Sequence, residues 1–316
     1  MSESNQSSAR GFQSWPIVRT KPIGKTHGRS ISVFINNMQS HLTTVDVYED
    51  GSIDCWGFVD RQLFATKLQA NWVVPNPKPN QMISVHGFGG TRVSDGRWFQ
   101  TTHSIATEAE SIIHTLNPGM LNLIDMQGAA TEPRGKVQYA KMGIADKKAY
   151  RLDKVTGQEI VADSVPVLRV ERDTFEVTRL FIYADGVFEI GGSGELLPLC
   201  DLPSLYEQDK IANVAPAESL LIFPGLGGCR TVDQFGGVGV DDRVREVNDK
   251  FSVLNGRPSL IAVCINSFAE YKREQSPEAK DALREAYLAV PEHLRGYCGD
   301  MDTRDSAIRA ALYPKT

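Results

Sequence analysis

One stretch of this chain is written twice. Val45 to Gly57, which contains Tyr48-Glu49-Asp50-Gly51, is echoed by Leu180 to Gly192, which contains Tyr183-Ala184-Asp185-Gly186. Two further echoes follow in the same order. Gly87-Phe88-Gly89-Gly90-Thr91-Arg92 returns as Gly225-Leu226-Gly227-Gly228-Cys229-Arg230, and Leu116-Asn117 returns as Leu254-Asn255. The spacing between copies is 135 residues at the tyrosines and 138 at the glycines and asparagines, so the register slips by only three. Such regularity points to tandem duplication of one supersecondary unit.

The duplication divides the chain as its length does, since 316 residues correspond to about two domains of roughly 150 residues each. The spacing predicts a tail over residues 1–28, a first module over 29–130, a linker over 131–164 holding a hairpin, a second module over 165–270 and a helical extension over 271–316. The tail is rich in Ser, Asn, Gln and Pro; its alternative reading is a short docking segment using Phe12, Trp15, Ile17 and Val18.

Each module reads as α+β: a curved antiparallel sheet plus one helix. The first has a strand at Ser30–Ile35 and a hairpin in which Val45, Val47, Ile53 and Cys55 share one phase on either side of Glu49-Asp50-Gly51. A short helix near 60–68, a strand over 81–86, a helix over 107–116 and a strand over 120–126 follow. The second repeats this order with Val165–Val170, the second hairpin, a helix near 203–209, a strand over 219–224 and a helix over 241–254. The apolar run Leu260–Ile265 predicts a strand buried on both faces. Ser276-Pro277-Glu278 opens a helix that ends at Pro291, and another spans 303–312.

Composition excludes several function classes. A net charge of −5 and a pI near 5.7 argue against a protein built mainly to bind nucleic-acid backbone, which needs a concentrated basic face. No apolar run reaches the roughly 18 residues of a membrane span, and Met1–Pro16 lacks the apolar core of a secretory signal, so the expected location is cytoplasmic. Five scattered cysteines without a Cys-x-x-Cys pair predict neither disulfide scaffold nor structural zinc.

The Gly loops are the features with the look of chemistry. Gly89, Gly90 and Arg92, with Gly227, Gly228 and Arg230, could offer backbone N–H groups and guanidinium charge to a phosphate or carboxylate. They match neither the dinucleotide fingerprint nor the phosphate loop, and the alternative is a tight strand exit. His86, His103 and His114 occur in the first module alone, at no metal-ligand spacing. Cys229 beside Arg230 invites a nucleophile reading. Asp300, Asp302 and Asp305 around Arg304 either do acid–base work or cap the last helix. Trp72, Trp98, Phe99 and Phe58 mark either a partner surface or core.

No residue is assigned to catalysis and no cofactor is identified. The expectation is a binding or interaction protein using a cleft between its modules, with a protein or a small anionic ligand as partner. The alternative is phosphate or nucleotide recognition, enzymatic or not, at the Gly loops. Function should lie where the copies differ, because what they share is what each needs to fold.

Overall fold

The repeated Tyr-x-Asp-Gly stretch is a β-turn in both copies, closed by hydrogen bonds from Gly51 N–H to the Tyr48 carbonyl (3.0 Å) and from Gly186 N–H to the Tyr183 carbonyl (3.1 Å). An arginine from the preceding part of the same copy holds each turn. Arg19 is fully buried, stacks over Tyr48 (4.3 Å) and Phe58 (4.9 Å), and donates to Asp50 (2.9 Å) and Ser52 (3.1 Å). Arg151 stacks over Tyr183 (4.9 Å) and pairs with Asp185. The Leu-Asn echo closes the same device: Asn117 and Asn255, each at a helix C-terminus, donate to the carbonyls of Glu49 (3.0 Å) and Ala184 (3.2 Å), the unspecified residue of each motif. The motif is thus a clasp joining a strand, a hairpin turn and a helix end.

The structure is a computed structural model that describes residues 11–20, 24–78, 80–126, 147–300 and 302–313. The first copy runs β1 (Ser14–Thr20), β2 (Lys25–Asn37), β3 (Gln39–Tyr48), β4 (Ile53–Asp54), β5 (Phe58–Val59), α1 (Arg61–Gln69), β6 (Val73–Val74), β7 (Met82–Val85), β8 (Gly89–Trp98) and α2 (Thr102–Leu116). The second runs β9 (Lys147–Leu152), β10 (Glu159–Glu171), β11 (Thr174–Tyr183), β12 (Val187–Ile190), β13 (Leu197–Pro198), α3 (Leu202–Glu207), β14 (Ile211–Ala212), β15 (Val214–Ala215), β16 (Leu220–Phe223), β17 (Gly227–Thr231), β18 (Phe235–Gly236) and α4 (Val240–Leu254). The extension is α5 (Leu260–Glu274), α6 (Pro277–Ala289), a 3₁₀ helix (Glu292–Cys298) and α7 (Ser306–Leu312).

The chain is therefore α+β and duplicated, but the copies do not form separate sheets. The pairings run β1-β2-β3-β7-β8-β17-β16-β11-β10-β9 and return to β1, which closes the sheet into a barrel. Contacts β3–β7 and β11–β16 are parallel; the others in the ring are antiparallel. The copies meet twice, each time through the same strand of the repeat, at β1–β9 and β8–β17. That is the self-complementary pattern of a twofold junction.

Closure decides which way the alternating phases face. Ile31, Val33, Ile35, Val45 and Val47 point outward and bury against α1 and α2 with Phe64, Leu68, Ile105 and Ile112. Val165, Val167, Leu180 and Ile182 do the same in copy two, against Leu202, Leu205 and Val247. The opposite phase lines the interior. Part of it is apolar, filled by Phe34, Ile83, Leu168, Val177, Leu221 and Phe223, while Ser30, Thr44, Asp46, Ser164 and Arg179 are polar.

Four expectations are corrected. Ser14–Thr20, expected within a tail, is β1 and lies between β2 and β9 with Ile17, Val18 and Arg19 buried. The predicted linker hairpin is present, but it is β9–β10 and belongs to the barrel wall. The strand expected at Leu260–Ile265 is the start of α5, because Leu260, Cys264, Phe268 and Tyr271 recur at helical spacing and Ser259 caps the first turn on Ala262 N–H (3.1 Å). The strand expected at 120–126 is irregular chain. Residues 131–146 of the predicted linker, the last four residues of the predicted first module (127–130) and the tail before residue 11 lie outside the described residues.

The helical extension is fastened to both copies. Arg243 on α4, fully buried, donates to the Gly87 carbonyl of copy one (3.0 Å) and pairs with Glu246, which also meets His293 Nε2 of the extension (2.9 Å). Burial alone would raise the Glu246 pKa, but the His293 hydrogen bond and the Arg243 charge outweigh it and hold the carboxyl below its ordinary 4.5.

Two measurements test these fastenings. Because the folded-state pKa of Glu246 is depressed, its contribution is complete above pH 4.5 and is lost as pH falls through the lower folded value. Glu246→Gln should cost about 3 kcal/mol at pH 7, by leaving Arg243 buried without its carboxylate, and should flatten the decline of the urea midpoint below pH 4.5. Arg19→Met should cost about 3–5 kcal/mol in urea denaturation. Arg151→Met should cost less, since the Asp185 side chain is 39% exposed against 16% for Asp50.

Candidate functional site

The Gly loops are tight hairpin turns. They join β7 to β8 and β16 to β17, with Phe88 N–H bonding the Val85 carbonyl (3.1 Å) and Leu226 N–H the Phe223 carbonyl (2.9 Å). Gly90 and Gly228 are needed for close approach, because a Cβ there would stand 2.9 Å from the Ile83 carbonyl and 2.8 Å from that of Leu221. Gly89 packs against Gly236, and Gly227 against the Arg97 carbonyl across the β8–β17 junction. Arg92 and Arg230 are exposed on the outer face of that junction; Arg230 donates to the Glu218 carbonyl (3.1 Å). The glycines are thereby occupied in strand pairing.

Other sequence candidates disperse. His103 and His114 lie exposed on α2, outside the barrel, while His86 is bonded to Tyr297 Oη of the extension (3.0 Å). Among the described residues no group of three or more His, Cys, Asp and Glu is placed to hold a metal. Cys229 is buried, and burial pushes its thiol up to about 12, the reverse of nucleophile activation. Asp300 accepts from the backbone N–H of Asp302 (3.0 Å) and Thr303 (2.7 Å), and Asp305 accepts from Tyr287 Oη, so both serve local structure. Trp98 packs inside the barrel against Phe34 (5.5 Å) and Phe223 (5.8 Å) and Phe58 stacks on Arg19; Trp72 is half-buried and Phe99 exposed.

What the structure does gather is a cavity of about 630 Å³ in the barrel, lined by β1, β2 and β3 of copy one and β9, β10 and β11 of copy two. Its size is that of a small-molecule site. Asp46, 2% exposed, accepts from Ser30 Oγ and pairs with Lys147. Asp163 pairs with Lys250 of α4 (3.1 Å), and that charge holds its carboxyl below the usual range although burial opposes it. Arg179 differs. Its Nε donates to Ser164 Oγ (2.9 Å) and its guanidinium lies 5.9 Å from the Trp15 ring, but among the described residues no carboxylate stands within ion-pair distance of it. Burial pulls its pKa down, and the fields of Asp163 and Asp46 push back. An arginine starts so far above neutrality that the group stays cationic. The corresponding residue of copy one is Thr44, so the charge belongs to one copy alone.

The wall has an opening in copy one. The β3 edge pairs with β7 at Ser40–Leu42 and with β4 from Asp46 onward, which leaves residues 43–45 without a strand neighbour on that side among the described residues. The cavity passes through this window, since its lining includes outward-facing His41, Thr43, Ser84, His86 and Trp56 as well as inward-facing Leu42 and Thr44. The matching stretch of copy two is closed. Gly191 N–H bonds the Arg179 carbonyl (2.8 Å), and the Gln13 side chain bridges to Thr178 Oγ1 (3.2 Å).

Trp56 stands at that window in an unusual backbone state, with φ of +63°. A bulky side chain in the left-handed region costs roughly 1–2 kcal/mol. Its counterpart in copy two is Gly191, at φ +65°, where glycine avoids the penalty. Neither Trp56, which the sequence suggests only as a cross-strand partner of Tyr48, nor Arg179 is marked by sequence as a site residue; the signal that finds both is substitution between aligned copies, Trp against Gly and Thr against Arg.

The chain belongs to the family described as Domain of unknown function (DUF7638), whose model matches residues 16–120 and 150–258, one segment for each copy. The extension, residues 260–315, matches Domain of unknown function (DUF7639). No curated protein and no solved structure matches the chain.

If the Gly loops serve folding, Gly90→Ala and Gly228→Ala will each destabilise by about 1–3 kcal/mol in urea, through the carbonyl clash. Arg92→Ala and Arg230→Ala will stay within about 0.5 kcal/mol of the parent.

Proposed function

We propose that this protein binds a small anionic molecule in its barrel cavity, reached through the copy-one window. The observation that carries this is Arg179: a guanidinium facing a cavity of about 630 Å³ with a serine hydroxyl, rather than a carboxylate, as its side-chain partner. A half-buried cation without a counter-ion is more favourable when an anion completes it, and arginine's planar fork suits a carboxylate or phosphate. Lys147 adds charge at the same wall, its own partner Asp46 being shared with Ser30.

This refines the expectation of a ligand held between modules: the copies join edge to edge, and the space they enclose is a barrel interior, with the copy-one window as its proposed entrance. The size favours a small molecule over a protein partner. Recognition of phosphate by the Gly loops draws no support from their geometry. No helix among the described residues is long and apolar enough to cross a membrane; a cytoplasmic location stays part of the proposal.

The test is a thermal-shift screen with small carboxylates and phosphates at millimolar concentration. A ligand at about 100 times its dissociation constant stabilises the native state by about 2.7 kcal/mol, which raises Tm. Arg179→Met should shrink the shift, cutting that stabilisation to about 0.4–1.4 kcal/mol, because loss of a charge-assisted hydrogen bond lowers affinity about 10- to 100-fold. Arg92→Ala and Arg230→Ala should leave it intact. A shift undiminished in Arg179→Met, or no shift with any anion, overturns the proposal.

A further inference from the structure

The geometry points to Trp56 as a stacking platform, so that the ligand of the barrel carries a flat aromatic ring on the window side of its anionic group. This inference rests on the proposed binding of an anion at Arg179 and adds the chemical class of the rest of the molecule.

The chain contains its own control. The turn linking β4 to β5 and the turn after β12 have nearly the same backbone at the aligned position, φ +63° at Trp56 and +65° at Gly191. The fold therefore demands a left-handed residue in both copies and is satisfied by glycine in one. In the other it holds tryptophan, among the least suited residues. A tryptophan recruited for packing would be buried. Trp56 is 46% exposed, and the apolar core beneath it is built by Cys55, Phe64, Leu68 and Val73 with Trp72 at its edge. Its ring meets His41 (5.0 Å between centroids) and Trp72 (6.2 Å, edge-on), which fixes its orientation and leaves it exposed.

Position supplies the second half. Trp56 and Arg179 line the same cavity, Trp56 at the window and Arg179 further in, with His41, His86 and Trp15 also in the lining. Aromatic rings pair by stacking or edge-to-face contact, and two imidazoles beside an indole make a rim suited to a flat π-system. In copy two the same place is filled: a Cβ at Gly191 would stand 2.6 Å from Thr178 Oγ1. An aromatic side chain is present only where the wall is open.

Benzoate and cyclohexanecarboxylate, which share a carboxylate and nearly a size, separate stacking from simple filling. Calorimetric titration of the parent should show benzoate binding about 10-fold more tightly, with phenyl phosphate likewise ahead of methyl phosphate. Trp56→Gly, which installs the residue copy two uses, should remove that preference by weakening benzoate more than cyclohexanecarboxylate, and should leave Tm unchanged or higher. Trp56→Phe, which keeps a ring, should retain part of the preference. Equal affinity for the two carboxylates, or a benzoate preference that survives Trp56→Gly, would overturn the aromatic assignment while leaving Arg179-dependent anion binding in place. Absence of binding by all four probes would overturn both.

Discussion

A strand at the edge of a sheet presents a row of unpaired N–H and C=O groups, and one copy of this repeat, taken alone, has two such edges. In copy one they are β1 and β8; in copy two, β9 and β17. Neither can be left open without inviting association with other chains. Each copy satisfies the other, β1 against β9 and β8 against β17, and the ring that results closes those edges. Everything else follows from that closure. It turns the apolar phase of β2, β3, β10 and β11 outward, where α1 to α4 cover it, and turns the polar phase inward to a space whose contents must balance charge and hydrogen bonds.

That inward phase explains how much of the site was legible in sequence. The alternation in Val45-Asp46-Val47 reads as one face toward core and one toward solvent, whereas Leu180-Phe181-Ile182 beside Arg179 is an unbroken apolar run that says nothing of faces. Period-two alternation reports that the faces differ; it does not say whether the polar one meets bulk water or a cavity. Arg179 was thus invisible as a site residue. The Gly loops drew notice because glycine clusters are conspicuous, yet their conformations serve cross-strand approach at Gly90 and Gly228.

The fold was legible in its repeat order and less so in its joins. The three echoes mark the clasps and hairpins of both copies correctly because each is local chemistry: a turn, a cation over a ring, an asparagine at a helix end. β1 escaped notice because seven residues with Pro16 among them, set in a Ser- and Gln-rich stretch, resemble a tail. Pro16 is tolerated since the β1–β9 ladder engages only Ile17 to Arg19, leaving the proline beyond its end. Leu260–Ile265 misled for the opposite reason, a short apolar run whose helical spacing shows only when Phe268 and Tyr271 are counted.

The β1–β9 join has a consequence for how the molecule is made. Its partners are some 130 residues apart in sequence, so the first copy leaves the ribosome with both edges bare and must wait for the second before its wall can close. At about 5–20 residues per second that exposure lasts on the order of ten seconds. During that interval a second nascent chain offers the same strand as the missing half, and the clasp of Arg19, Tyr48 and Asp50, which needs only copy-one residues, is what can hold the half-barrel in shape until its proper partner arrives.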